Sequence, residues 1–340
     1  MVPSDPPRKW LPRDAAGKMD FPPENGAIKS MVGFDEYMEI YAVRATYRVK
    51  TPDNLDPQRT VPNMPWSNST NASVGASNPI VARIVIQSVE ALGNWPLRNG
   101  DPKILKRHLH ACKEEALACE AAYNRLKPHH EAAVQRVTEG KLPVQRNIID
   151  CPTLPNLRED AAAFLTSAKR ALQSIGEIFN QFYVPDNKTP RVINANFEFA
   201  ITRLENSPPV NQDFIDYLRK VVPIVKRFVD IRNGLEHPGP NDATVIQDFL
   251  LTPNGIAAPT WHRPTLVSSG PVIEEMRIFL DFVVVFFEYV FFFGLLDNIA
   301  VSIPLEMQPI PDAQVDPECP VHYRLTPLLG QAPNPQQVPT

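Results

Sequence analysis

The chain has 340 residues, 43% of them hydrophobic and 21% charged, which excludes an intrinsically disordered protein and leaves room for one large domain or two ordinary ones. Its formal charge of −4, from 34 basic and 38 acidic residues, excludes a uniformly basic nucleic-acid coat protein but not a local basic patch. Thirty-seven prolines beside 14 glycines, with no repeat period, exclude collagen-like and solenoid architectures.

Residues 1–78 read as an irregular proline-rich segment, because Pro3, Pro6, Pro7, Pro12, Pro22 and Pro23 forbid early helix. Within it, residues 37–51 are rich in Tyr, Val, Ile and Thr and predict one or two strands, while residues 57–77 have turn and loop composition. The first ten residues are too polar and proline-broken for a secretory signal, so a cytoplasmic protein is expected and the sequons at Asn68 and Asn71 carry no meaning. Cys112, Cys119, Cys151 and Cys319 form no C-x-x-C pair and no disulfide scaffold.

Residues 79–150 read as a helical region packing on a bundle. Pro79 opens a helix to about Leu92, and Pro102 opens another to about Lys127. The second carries Leu105, Leu109, Cys112, Ala116, Cys119, Tyr123 and Leu126 at helical spacing. His108, Cys112 and Cys119 share this helix, but no fourth ligand stands at a recognisable spacing, so core packing is expected and no metal or cofactor. Residues 151–300 read as the bundle itself. The cleanest period lies over residues 159–183, where Phe164, Leu165, Ala168, Leu172, Ile175, Phe179 and Phe182 form one face. A further helix runs from about Val210 to His237, with Pro223 predicting a kink between two segments. The last begins at Pro271 and reaches about Asn298, and residues 301–340 form a proline-rich tail that drapes over the surface or stays mobile. Four long helices joined by loops predict an all-α bundle with irregular proline-rich ends.

The apolar stretch over residues 278–296 is nearly long enough to span a bilayer. Asp281, Glu288 and Asp297 interrupt it, and a carboxylate near mid-membrane costs roughly 2.5–3.5 kcal/mol, so a bundle helix buried nearly all round is expected rather than a membrane span.

The candidate chemistry lies in Asp230-Ile231-Arg232-Asn233-Gly234-Leu235-Glu236-His237-Pro238. Phe214, Leu218, Val221, Val225 and Val229 define the buried face of that helix, and Arg232 projects from the middle of it. Arg219, Lys226, Asn233 and His237 fall along one edge as a polar seam suited to a phosphate backbone. An arginine, a polar residue and then a histidine after a four-residue gap resembles the signature of the HEPN superfamily. A second Arg-x4-His, Arg125 to His130, lacks the polar residue and falls where a helix is expected to break.

The resemblance covers residues 159–300 and implies a HEPN-like bundle. It also implies a metal-independent RNA endonuclease with Arg232, Asn233 and His237 as catalytic residues, acting as a homodimer with facing motifs. A role as toxin or phage-defence effector, with an antitoxin or regulatory partner, is carried by the resemblance alone. The residues fit that chemistry. A histidine can exchange a proton with the RNA 2′-hydroxyl or the leaving oxygen, and an arginine can hold the phosphate and its extra transition-state charge. Asn233, one turn from His237, can orient the imidazole, and Arg219 and Lys226 are the RNA-binding candidates. Five residues place Arg232 and His237 about 140° apart on an ideal helix, so either the helix distorts at Gly234 or two subunits contribute. The alternative is a non-catalytic helical binding or scaffold protein in which Arg232 pairs with Glu236 and His237 merely suits the helix C-terminus.

Overall fold

The computed structural model describes residues 11–15, 18–93, 95–145, 148–186, 190–207 and 211–328. Residues 1–10, the helix start expected at Val210 and the tail beyond residue 328 lie outside them. The all-α expectation is overturned: the fold is mixed α/β, with 50% helix and 18% strand. Two compact units are present, one from residues 1–93 and 307–325, the other from residues 94–306 and 326–340.

The first unit is built on strands β1 (Ile28–Gly33), β2 (Met38–Ala42) and β3 (Thr46–Lys50), the single turn α1 (Pro52–Leu55) and strand β4 (Ser67–Ala72). They form one antiparallel sheet in the order β1-β2-β3-β4. Alternation in β2 and β3 places Ile40, Ala42, Tyr47 and Val49 in its core, under Met19, Phe21 and Met38. β4 has the sequence SNSTNA and is exposed along almost its whole length, so no apolar pattern announces it. It holds its place through the ladder to β3. After β4 the chain enters helical turns at Val81–Ile86 that continue into α2 (Gln87–Leu92).

Arg13 closes the loop after β3. Its guanidinium is buried and donates to Asp56 Oδ2 at 2.6 Å and to the carbonyls of Val61, Asp56 and Pro52. The backbone N–H of Val61 also donates to Asp56, and these bonds to its charged form hold the Asp56 carboxyl down at about 2. A depressed carboxylate contributes stability that is full above its unfolded value near 4 and lost as pH falls towards 2. The urea midpoint of this unit is therefore expected to drop between pH 4 and pH 2, and Asp56→Asn to flatten that acid limb. An unchanged limb in the variant would show that another carboxylate governs it.

The second unit contains four long helices. α3 (Pro102–Thr138) runs through Pro128 and beyond the predicted end at Lys127. A proline inside a helix costs roughly 3 kcal/mol, and burial of Leu126 and Ala133 on either side of it offsets that cost. The ribbon β5 (Val144–Gln145) and β6 (Ile148–Ile149) leads to α4 (Leu157–Tyr183), whose apolar face packs along α3. The short α5 (Glu198–Glu205) precedes α6 (Gln212–Glu236), one continuous helix in which Pro223 produces no break into two segments. Residues 245–271, unassigned by sequence patterning, form β7 (Val245–Gln247), β8 (Leu250–Thr252), β9 (Gly255–Ala257), β10 (Thr260–Arg263) and β11 (Val267–Pro271). β8 and β9 make a hairpin, and the others a sheet in the order β11-β10-β7.

α7 (Val272–Asn298) follows, long and apolar enough by length and composition to cross a membrane, with 61% of its most apolar window buried inside the protein. Its phenylalanines explain that burial. Phe279 meets Phe228 at 4.6 Å and Phe164 at 5.5 Å, Phe286 meets Phe197 at 4.8 Å, and Phe293 stacks on Phe214 at 4.8 Å. Beyond it, β12 (Leu305–Pro309) and β13 (Tyr323–Pro327) form a two-stranded ribbon within the predicted tail.

Candidate functional site at the end of α6

α6 buries Phe214, Ile215, Leu218, Val221, Val225, Phe228, Ile231 and Gly234. Phe214, Leu218, Val221 and Val225 are buried as predicted, and the stripe departs from the prediction in the last turns: Ile231 takes the central position, Val229 is half-buried, and Arg232 lies on the border of the face. The final turn is held by the strands that follow. Thr244 donates its hydroxyl to the Ile231 carbonyl at 2.6 Å and its N–H to the Gly234 carbonyl at 3.1 Å. Arg263 on β10 donates to the Asp230 carbonyl at 3.1 Å and binds Asp242. The Thr244 N–H fills a carbonyl in the last turn that has no donor within the helix, and the bonds to Ile231 and Asp230 add a second donor to carbonyls one turn earlier. A Cβ on Gly234 would collide with Thr244 Oγ1 and the Arg263 side chain, which explains a glycine here. Gly234 stays helical, so of the two alternatives raised by the five-residue spacing a distortion at this glycine does not occur.

His237 is the C-cap, with φ −127° and ψ 64°, and its side chain is 79% exposed. Its dihedrals are not helical, so ideal helix geometry does not fix the bearing of its side chain relative to Arg232. Arg232 Nη2 pairs with Glu236 Oε1, while His237 Nε2 lies 3.8 Å from Glu236 Oε2. Arginine and histidine thus meet at opposite oxygens of one carboxylate. Arg232 Nε is buried and has no hydrogen-bond partner among the described residues. The Asn233 side chain turns away from the imidazole: its Oδ1 accepts from Lys169 Nζ on α4 at 2.8 Å, and only its backbone carbonyl meets His237, accepting the N–H at 2.9 Å. Burial lowers the pKa of Lys169, and the nearby Arg232 lowers it further.

The other seam residues stand apart. Arg219 is bound to Glu205 and Asp216 about 20 Å down the helix axis from Arg232. Lys226 pairs with Asp230 at 3.2 Å and lines a cavity with Asn233. The second Arg-x4-His resolves into separate contacts, with Arg125 on Asp160 at 2.6 Å and His130 stacked on Phe249. Cys112 and Cys119 are fully buried in the α3 face, where desolvation raises both thiols, and Cys119 Sγ lies 3.5 Å from the Phe164 carbonyl. Lys169 and Glu236 complete the charge pattern around Arg232. Glu236 was legible as an i,i+4 partner, whereas Lys169 is an ordinary polar position of α4 until the fold sets it beside α6. No family model, curated protein or solved structure matches the chain.

Proposed function

We propose that the exposed end of α6 is a metal-independent RNA endonuclease site with HEPN-type chemistry. The observation that carries the reading is the meeting of Arg232 and His237 at the Glu236 carboxylate, an anion that a phosphodiester replaces when RNA binds. Arg232 then offers the phosphate the terminal nitrogen that now holds Glu236. Lys169, held next to it through Asn233, adds a second positive charge without contributing to proton transfer. His237, open to solvent, takes the proton of the 2′-hydroxyl as that oxygen attacks phosphorus, and the departing 5′-oxygen leaves with a proton from solvent. Lys226 and Arg219 serve the strand further along α6. A cytoplasmic toxin or defence role, and an antitoxin or regulatory partner, remain attached to the motif resemblance alone.

The assay is direct. Incubation with single-stranded RNA in the presence of a chelator is expected to give products ending in a 2′,3′-cyclic phosphate, with single-stranded DNA intact because it lacks the nucleophile. Strict dependence on magnesium would assign the chemistry to other residues.

A homodimer belongs to the same proposal. Along α7, Ile278 and Val285 remain 43% and 37% exposed, in line with the half-buried Phe282, Tyr289 and Phe293. Light scattering at tens of micromolar, an ordinary order of magnitude for such dimers, is expected to give twice the chain mass, and a monomer would remove this part of the reading.

The second reading, a non-catalytic binding or scaffold protein, is favoured by one specific observation. Arg232 and Asn233 already have partners, Glu236 and Lys169, within the chain. Its mark would be RNA bound and not cleaved, or no RNA affinity at all.

A further inference from the structure

We infer that the cavity beside the α6 motif is a pocket for one unstacked nucleobase of the RNA strand held at Arg232 and His237; the inference rests on the proposed RNA site. The cavity measures about 240 Å³ and lies between α6 and the segment Asn194–Glu198. On the helix, Val222, Lys226, Val229 and Asn233 fall within about 40° of one line, so the cavity runs up α6 and ends one residue from Arg232. Its volume falls below the roughly 300–1,000 Å³ of drug-sized sites, which suits a single base rather than a stacked pair.

The lining suits a base in kind as well as size. Val222, Val225, Val229 and Phe197 offer apolar walls to its faces. Two amides offer donors to its edge. Asn196 Oδ1 accepts the Glu198 backbone N–H at 3.2 Å, and Asn233 Oδ1 accepts from Lys169 at 2.8 Å. Both donors can only donate in these bonds, so each amide is fixed with its oxygen occupied, and neither NH2 group has a partner among the described residues. Asp230 and Glu198 supply acceptors for an exocyclic amine. Single-stranded RNA is read in this way, by splaying out a base and bonding its edge.

The loop conformation adds an independent observation. Asn194 and Ala195, both lining the cavity, adopt consecutive left-handed conformations with φ of 53° and 61°. Alanine is disfavoured there, and backbone strain of this kind gathers at ligand clamps.

The test uses the full chain, oligoribonucleotides varied at the bases flanking the cleaved bond, and the four ribonucleoside 3′-monophosphates. The parent protein is expected to prefer one base beside the cleavage point. Val229→Phe, which fills the cavity, and Asn196→Ala, an exposed change that spares the core, are each expected to cut that preference about tenfold, the scale of one base-edge contact. Calorimetric titration is expected to show the matching monophosphate binding to His237→Ala protein and much more weakly to both pocket variants. Cleavage without base preference, together with monophosphate binding unchanged in both variants, would overturn the pocket and leave the cleavage reading standing. No RNA cleavage, with monophosphate binding that both variants weaken, would overturn the cleavage reading and leave the pocket. If no monophosphate binds and no preference exists, the pocket is overturned whatever the cleavage result.

Discussion

Replacing His237 by alanine is expected to slow RNA cleavage by a factor of about 10² to 10⁴, the range that general acid–base work supplies. The residue is a C-cap with a 79% exposed side chain, so thermal unfolding and oligomeric mass are expected to stay at parental values. Arg232→Ala is expected to lose about 10² to 10³, the cost of removing a donor from developing transition-state charge. Arg232→Lys tests geometry separately from charge, because lysine keeps the cation and loses the planar fork that a phosphate engages. Glu236→Gln addresses the occupied anion position: with the competing charge removed, RNA is expected to bind more tightly in a filter or anisotropy assay. His130→Ala, on α3 and stacked against Phe249, is expected to leave cleavage unchanged. Full cleavage by the His237 variant would transfer the chemistry away from α6, and tighter binding without cleavage would favour the scaffold reading.

The largest expected effect on stability is at Trp261. This β10 residue is fully buried, its ring meets Phe164 and Phe228, and its indole N–H donates to Glu275 Oε2 at 2.7 Å. Glu275 is bound in turn by Arg227 of α6, so one side chain ties the small sheet to α4, α6 and α7. Trp261→Ala removes a large aromatic from a closed site and is expected to cost about 3–5 kcal/mol. Trp261→Phe keeps most of the apolar volume and loses the bond to a carboxylate, about 1.5–3 kcal/mol. Urea titrations are expected to order the three proteins parent, Phe, Ala. A Phe variant as unstable as the Ala variant would mean that the Glu275 bond, rather than ring packing, anchors β10.

The amino-acid sequence by itself determined the four long helices of the second unit, because 25 or more residues of helical spacing carry their own signal. It also determined that Arg232, Asn233 and His237 share one helix end, since Pro238 and Pro240 stop α6 just beyond them. Residues 37–51 also announced strands where β2 and β3 lie, whereas the other strands escaped for a physical reason. β4 is polar and exposed in all but its last residue, and β7 to β11 are three to five residues each, too short for alternation to register without a partner strand. Local rules also set helix boundaries that packing overrode. Pro128 and Pro223 each remove one backbone hydrogen bond, a local cost that burial of whole helix faces exceeds. Only the tertiary structure could shift the buried stripe in the last turns of α6 so that Ile231 is buried and Arg232 stands at the border, because what packs against those turns lies outside the helix and an ideal 100° rotation does not show it. Only it could set Lys169, 64 residues away in sequence, against Asn233, or close a cavity between α6 and the strained Asn194–Ala195 backbone. Those juxtapositions depend on how separate elements dock, and residue spacing within one element carries no information about its neighbour.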